Sequence, residues 1–136
     1  MFEGRYLTEG RRLDPAEATR WYLKAADQGE TRAQTELAGM YETGFGVEQE
    51  DVEAARWYGK AGDRGDRSAQ FVLGGIYEKG KGVPQDYAEA VRWYRLAADQ
   101  GDADAQYNLG LMYAKGLRRL TAPSKLQRQT DLQRCC

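Results

Sequence analysis

The chain contains no histidine, and its only cysteines are Cys135 and Cys136 at the very end. Without histidine, the commonest general base and the commonest metal ligand are both missing. Two terminal cysteines cannot form a disulfide framework inside a fold. An adjacent pair also rarely closes on itself, because a trans peptide holds the two side chains apart. Long apolar runs are lacking too: no stretch approaches the roughly 20 residues that a membrane span requires. The opening Met1-Phe2-Glu3-Gly4-Arg5-Tyr6 has no apolar segment of the secretory kind. This reading expects a cytoplasmic chain, or a fragment trimmed from something larger, with no membrane partner. A strong charge bias is absent as well, with 20 basic against 21 acidic residues and a formal net charge of −1. Such a balance supplies no global field toward nucleic acid or anionic lipid. The 136 residues, 41 % hydrophobic and 30 % charged, suit one folded domain rather than a disordered chain.

What is present is a 36-residue self-repeat. Trp21, Trp57 and Trp93 are the only tryptophans, and each precedes a tyrosine: Tyr22, Tyr58, Tyr94. The same step relates Asp27 and Gly29 to Asp63 and Gly65, then to Asp99 and Gly101. It relates Ala33-Gln34 to Ala69-Gln70 and Ala105-Gln106, Leu37 to Leu73 and Leu109, Tyr41 to Tyr77 and Tyr113, and Gly44 to Gly80 and Gly116. A fixed period in the range of about 20–50 residues implies a stacked solenoid, because each unit buries its apolar face only against its neighbours. Solenoids present long surfaces, which favours binding over catalysis.

Each unit reads as two helices. Asp14-Pro15-Ala16-Glu17 opens one: Asp14 as N-cap, Pro15 in the first helical position, Glu17 completing a capping box. Glu50 with Glu53 and Asp86 with Glu89 repeat the box. Ala18, Trp21, Tyr22 and Ala25 then form an i, i+3, i+4, i+7 stripe, and Gly29, Gly65 and Gly101 stand where a helix ends left-handed. The other helix covers about Thr31 to Thr43, Arg67 to Lys79 and Ala103 to Lys115. Ala38, Gly74 and Gly110 share one slot in it, where small size implies close helix approach. Gly44-Phe45-Gly46-Val47 and Gly80-Lys81-Gly82-Val83 are connectors. They lack the strand and the Lys-Ser/Thr of a phosphate loop.

The shared pattern is Ala-Gln-x-x-Leu-(Gly/Ala)-x-x-Tyr-x-x-Gly-x-Gly-Val, then Glu-Ala-x-Arg-Trp-Tyr, then Asp-x-Gly. It closely resembles the Sel-1-like repeat family, relatives of the tetratricopeptide repeats, over about residues 5–116. The resemblance implies an all-α fold: a right-handed α/α superhelical solenoid of about three 36-residue helix–turn–helix repeats. It also implies a scaffold or adaptor for a protein or peptide partner, in a family often found in bacterial signalling, envelope biogenesis and host interaction. No enzyme activity and no cofactor are implied. Cysteine-rich members carry a cysteine pair in every repeat and are linked to β-lactam binding. Those pairs are missing here, so a β-lactam-binding hydrolase is the disfavoured alternative. The pattern is cut short at the start and fails after Gly116, which divides the chain into a solenoid over 1–116 and a tail over 117–136. The tail carries Arg118, Arg119, Lys125, Arg128 and Arg134 against Asp131 alone. It reads as a divergent cap helix or a disordered basic segment.

In the related tetratricopeptide folds, the first helix of each hairpin lines a concave groove. Carried onto this sequence, the groove positions are Arg32, Thr35, Gly39, Glu42 and Thr43 in one unit. They are Ser68, Phe71, Gly75, Glu78 and Lys79 in the next, and Asp104, Tyr107, Leu111, Ala114 and Lys115 in the last. Phe71 and Tyr107 align with the polar Thr35, so the fold does not demand an aromatic there. They read either as anchors for a partner or as packing between neighbouring first helices. Lys79, Lys115 and Arg32 would steer an acidic partner, while Glu42 and Glu78 oppose that. Two further sets read as structural. The Trp-Tyr pairs recur at one slot and belong to the core. Glu17, Glu53 and Glu89 stand three residues before Arg20, Arg56 and Arg92 and pair with them on the helix surface. Both solenoid ends lack a recognisable cap, which points to a homo-oligomer through the ends, or to a spacer or fragment of a longer array that docks end to end.

Overall fold

A computed structural model describes residues 14–116. Six α-helices follow one another: α1 (Pro15–Asp27), α2 (Thr31–Thr43), α3 (Asp51–Asp63), α4 (Arg67–Lys79), α5 (Tyr87–Asp99) and α6 (Ala103–Leu111). A π-helical turn, Met112–Gly116, continues α6, and no strand occurs among the described residues. The most extensive contacts join helices adjacent in sequence, the mark of a solenoid in which each unit leans on its neighbours. The chain is thus an all-α, right-handed α/α superhelical solenoid. No helix among the described residues is long and apolar enough to cross a membrane. The expected tail, residues 117–136, lies outside the described residues.

The repeated residues explain the repeated geometry. Each Asp-x-Gly closes a helix: Gly29, Gly65 and Gly101 sit at φ 93°, 97° and 92°, a region open to glycine at little steric cost. Glu30, Asp66 and Asp102 then cap the following helix, accepting from the N–H of Ala33, Ala69 and Ala105. The glutamine of each Ala-Gln reaches back across that turn. Gln34, Gln70 and Gln106 donate to the carbonyls of Ala26, Gly62 and Ala98, each at 3.1 Å. These are carbonyls of a helix C-terminus, which have no partner in their own helix.

The Gly-x-Gly connectors make a different joint. Gly44 and Gly80 terminate α2 and α4 in the left-handed conformation. The second glycine serves close approach: a Cβ on Gly46 would lie 2.5 Å from the Pro15 carbonyl oxygen, and one on Gly82 would strike that of Asp51. The loop of one repeat is thereby pressed onto the helix start of the repeat before it.

Three expectations are corrected. No complete capping box is found among the described residues: Asp14 and Asp86 accept backbone N–H groups of α1 and α5, and Glu50 makes no side-chain cap bond. Glu17, Glu53 and Glu89 pair instead with Arg20, Arg56 and Arg92, the other arrangement their spacing allows. The helix expected over Ala103–Lys115 is α-helical only to Leu111. Glu42 and Glu78, near the ends of α2 and α4, are anchored by tyrosines of the next helix, whereas Ala114 offers no such anchor. Finally, the Trp-Tyr pairs are core at two of three positions. Trp57, Tyr58, Trp93 and Tyr94 are buried, while Trp21 is 62 % exposed.

Candidate functional site

The first helices of the hairpins, α2, α4 and α6, line one face of the solenoid. Across α4 on that face runs a cavity of about 310 Å³, near the lower end for ligand sites. Val72, Gly75 and Ile76 contribute to its wall, with Phe71, Tyr94 and Asn108 toward α6, Glu42 from the preceding repeat and Lys81 from the loop that follows α4. The elements that hold these groups are rigid. Phe71 packs on Tyr94 with ring centroids 5.8 Å apart and a 51° tilt, an edge-biased arrangement that aromatic quadrupoles favour. Tyr94 can lie this close to α4 because Gly74 has no side chain. A Cβ there would stand 2.5 Å from the ring.

A tyrosine–glutamate pair recurs along the face. The Tyr58 hydroxyl donates to Glu42 Oε1 at 2.8 Å and the Tyr94 hydroxyl to Glu78 Oε1 at 2.9 Å. Burial, and then the bond to the carboxylate, raises both phenols well above their ordinary range. Each hydroxyl therefore stays protonated and remains a donor. The second oxygen of Glu42 lies 3.9 Å from Lys81 Nζ. The two carboxylates are thus engaged by the fold, and their effect on a partner's charge is less than their formal sign suggests. Among the described residues, Lys79 has no carboxylate within ion-pair distance.

Of the residues expected at the groove, Glu42, Phe71, Gly75, Glu78 and Lys79 come together around this one cavity. Thr35 does not join them. Its hydroxyl contacts Asp66 Oδ2 at 3.2 Å, and it lies in a shallower depression with Glu36, Gly39, Met40, Thr43 and Phe45. Arg32 is on a separate surface with Tyr22 and Glu36, its guanidinium 3.7 Å from Glu30. Ser68, Asp104, Tyr107, Leu111 and Lys115 are exposed and lie outside the cavity. Phe71 packs on Tyr94 of the second helix of its own hairpin, against a cluster that also includes Ala105 and Met112 of the next unit, and Tyr107 is 68 % exposed. Sequence reasoning missed Tyr94, Asn108 and Lys81. One signal for the tyrosine was available, since Glu42 and Glu78 each precede a Trp-Tyr tyrosine by 16 residues.

A family model for the Sel1 repeat matches residues 2–30, 31–66, 67–102 and 103–123. The chain belongs to the Sel1 repeat family. Its repeats generally serve as scaffolds for protein interaction. Four matched segments, the last the shortest, agree with the expected count of about three full units. Similar solved structures include a Sel1 repeat protein from Oxalobacter formigenes, 42 % identical, with TM-score 0.72 over 74 % of this chain and 42 % of that one. Another is c5321, a protective antigen of uropathogenic Escherichia coli strains displaying an SLR fold, 41 % identical, with TM-score 0.74 over 76 % of this chain and 22 % of that one. A third is Helicobacter pylori cysteine rich protein B, 28 % identical, with TM-score 0.64 over 67 % of this chain and 68 % of that one. The chain therefore spans less than half the length of the first two. No curated protein matches it significantly by sequence.

Proposed function

We propose that the chain is a protein–protein interaction module that seats a segment of a partner protein in the groove across α2, α4 and α6. The observation that carries this reading is the cavity beside Phe71. It has an apolar wall of Phe71, Val72 and Ile76, fixed hydrogen-bonding groups at Tyr94 and Glu78, and at its rim the ammonium of Lys79, which has no ion-pair partner among the described residues. Such a site takes one apolar side chain of the partner, and Lys79 favours a carboxylate beside it. Binding rather than catalysis is also favoured by the lack of histidine and by the arginine partners of Glu17, Glu53 and Glu89.

Selection from a displayed peptide library tests this reading. The expected result is enrichment of peptides with a large apolar residue next to Asp or Glu, lost in Phe71→Ala. Because Phe71 also packs on Tyr94, the exposed Lys79→Glu is the companion variant, expected to fold normally and shift the preference toward Lys or Arg. No enrichment, or the same enrichment in wild type and both variants, would remove the groove as the binding site. A second reading, end-to-end docking, is favoured by a separate observation: Trp21 is 62 % exposed at the start of the described solenoid.

A further inference from the structure

We propose that a second copy of this chain docks its α1 onto α6, with Trp21 and Tyr22 entering a notch at Leu109 and Gly110, so that copies join head to tail. The inference rests on the end-docking reading and gives it a geometry; groove binding can fail without touching it.

The internal joints show what the notch is for. On α4, Leu73 and Gly74 receive the next helix. The Tyr94 ring covers Gly74 so closely that no Cβ could fit, and Trp93 lies against Gly62, where an added Cβ would be 3.0 Å from the indole. Trp93 and Tyr94 are 4 % and 2 % exposed as a result. On α6, Leu109 and Gly110 occupy the register of Leu73 and Gly74, and Ala98 that of Gly62. Gly110 is exposed, and among the described residues a Cβ built on it meets nothing within 4 Å. Around it Tyr107, Leu111 and Tyr113 are 68 %, 37 % and 45 % exposed. At the opposite end, α1 carries the same Trp-Tyr pair that fills the internal notches; its tryptophan is 62 % exposed, while Tyr22 is half-buried against the core. The described solenoid therefore carries an unfilled notch at one end and an unseated knob at the other.

A polar contact has the same complementarity. Inside the chain, Gln100 Nε2 donates across a repeat boundary to the Gly65 carbonyl at 2.9 Å and to Gln70 Oε1 at 2.8 Å. The equivalents of these three residues at the two ends are Gln28, Gly101 and Gln106, identical in type and all exposed. With α1 of one copy on α6 of another, Gln28 reaches Gly101 and Gln106 as Gln100 reaches Gly65 and Gln70. One internal contact is not reproduced. Ala114 stands where Glu42 and Glu78 hold a tyrosine hydroxyl, so Tyr22 gains no carboxylate and the joint is weaker than an internal one. Each copy offers one knob and one notch on different surfaces. The contact is heterologous and propagates to rings or filaments rather than stopping at a symmetric dimer.

Sedimentation velocity of the full chain over a broad micromolar concentration series tests this, in reducing buffer so that Cys135 and Cys136 cannot cross-link copies. The expected wild-type result is a mass that rises with concentration beyond two copies, with a blue shift of emission from Trp21, since Trp57 and Trp93 are already buried. Trp21→Ser removes the knob and Gly110→Leu fills the notch, both at exposed positions that leave the fold intact. Each variant alone is expected to associate at least about tenfold more weakly. Mixed together, the two are not equivalent to wild type: Trp21→Ser retains a notch and Gly110→Leu a knob, so they form a one-to-one pair that grows no further. Wild-type monomer at every concentration would overturn end docking altogether. Wild-type assembly that both variants retain undiminished would leave end docking standing and overturn the Trp21–Gly110 geometry.

Discussion

Trp93 and Trp21 hold the same place in the repeat, yet one is 4 % and the other 62 % exposed. The difference lies wholly in what stands beside them. Trp93 sits between Gly62 of the preceding second helix and Leu73 of its own hairpin, and Arg92, tied to Glu89, covers its outer face 4.4 Å from the ring centroid. Trp57 is buried in a cluster with Ala26 and Leu37, with Arg56 at 4.7 Å. Trp21 has Lys24 at 5.0 Å and no such slot among the described residues. A repeat residue is therefore core or surface according to its neighbours, not its own identity. The buried indole N–H groups of Trp57 and Trp93 have no hydrogen-bond partner among the described residues. Tryptophan serves these slots through its volume and shape.

The largest break in this comparison comes from the tryptophans themselves. Trp93→Ala is expected to destabilise the fold by about 3–5 kcal/mol, and Trp21→Ala by no more than about 0.5 kcal/mol. Urea unfolding of dilute protein checks both. Similar losses would mean that the two slots are equally packed in solution.

The glycines sharpen the comparison further, because they should differ in sign. Gly74→Ala drives a methyl group into the Tyr94 ring and is expected to lose about 1–2 kcal/mol, the overpacking outweighing the gain in helix propensity. Gly110→Ala meets nothing among the described residues and should gain up to about 1 kcal/mol from propensity alone. Melting temperatures of the two variants, moving in opposite directions from wild type, are the expected outcome.

The smallest effect concerns pH. In the folded chain, Tyr58 and Tyr94 are raised above their unfolded values by burial and by Glu42 and Glu78. The neutral phenol is the form the fold favours. The stability this confers is complete below the unfolded value of about 10 and is lost as pH climbs toward the folded ones. Replacing both tyrosines by phenylalanine should cost about 1 kcal/mol per lost bond near neutrality and flatten the decline of stability above pH 10. An unchanged alkaline slope would show that neither hydroxyl is held as the structure places it.

Much of the fold was legible. The 36-residue step, Pro15 at a helix start, the left-handed glycines after Asp27, Asp63 and Asp99, and the spans of α2 and α4 all follow from local chemistry that the chain states repeatedly. The candidate site was legible only in part. Phe71, Glu42, Glu78 and Lys79 stand at positions where the family resemblance places a groove. Tyr94, Asn108 and Lys81 come from other helices and loops, and one repeat's pattern does not say which residue of the next will face it. Glu50 looked like a cap because its spacing to Glu53 fits, but Glu53 is held by Arg56, and the side chain of Glu50 makes no cap bond.

The sequence by itself determined the repeat, the helices and their ends, because these depend on residues within a few positions of each other. Only the tertiary structure decided which tryptophan is buried, which glycine seats a tyrosine ring, and which glutamates are engaged by hydroxyls rather than open to a partner. Those outcomes depend on contacts between repeats, where identical residues meet different neighbours.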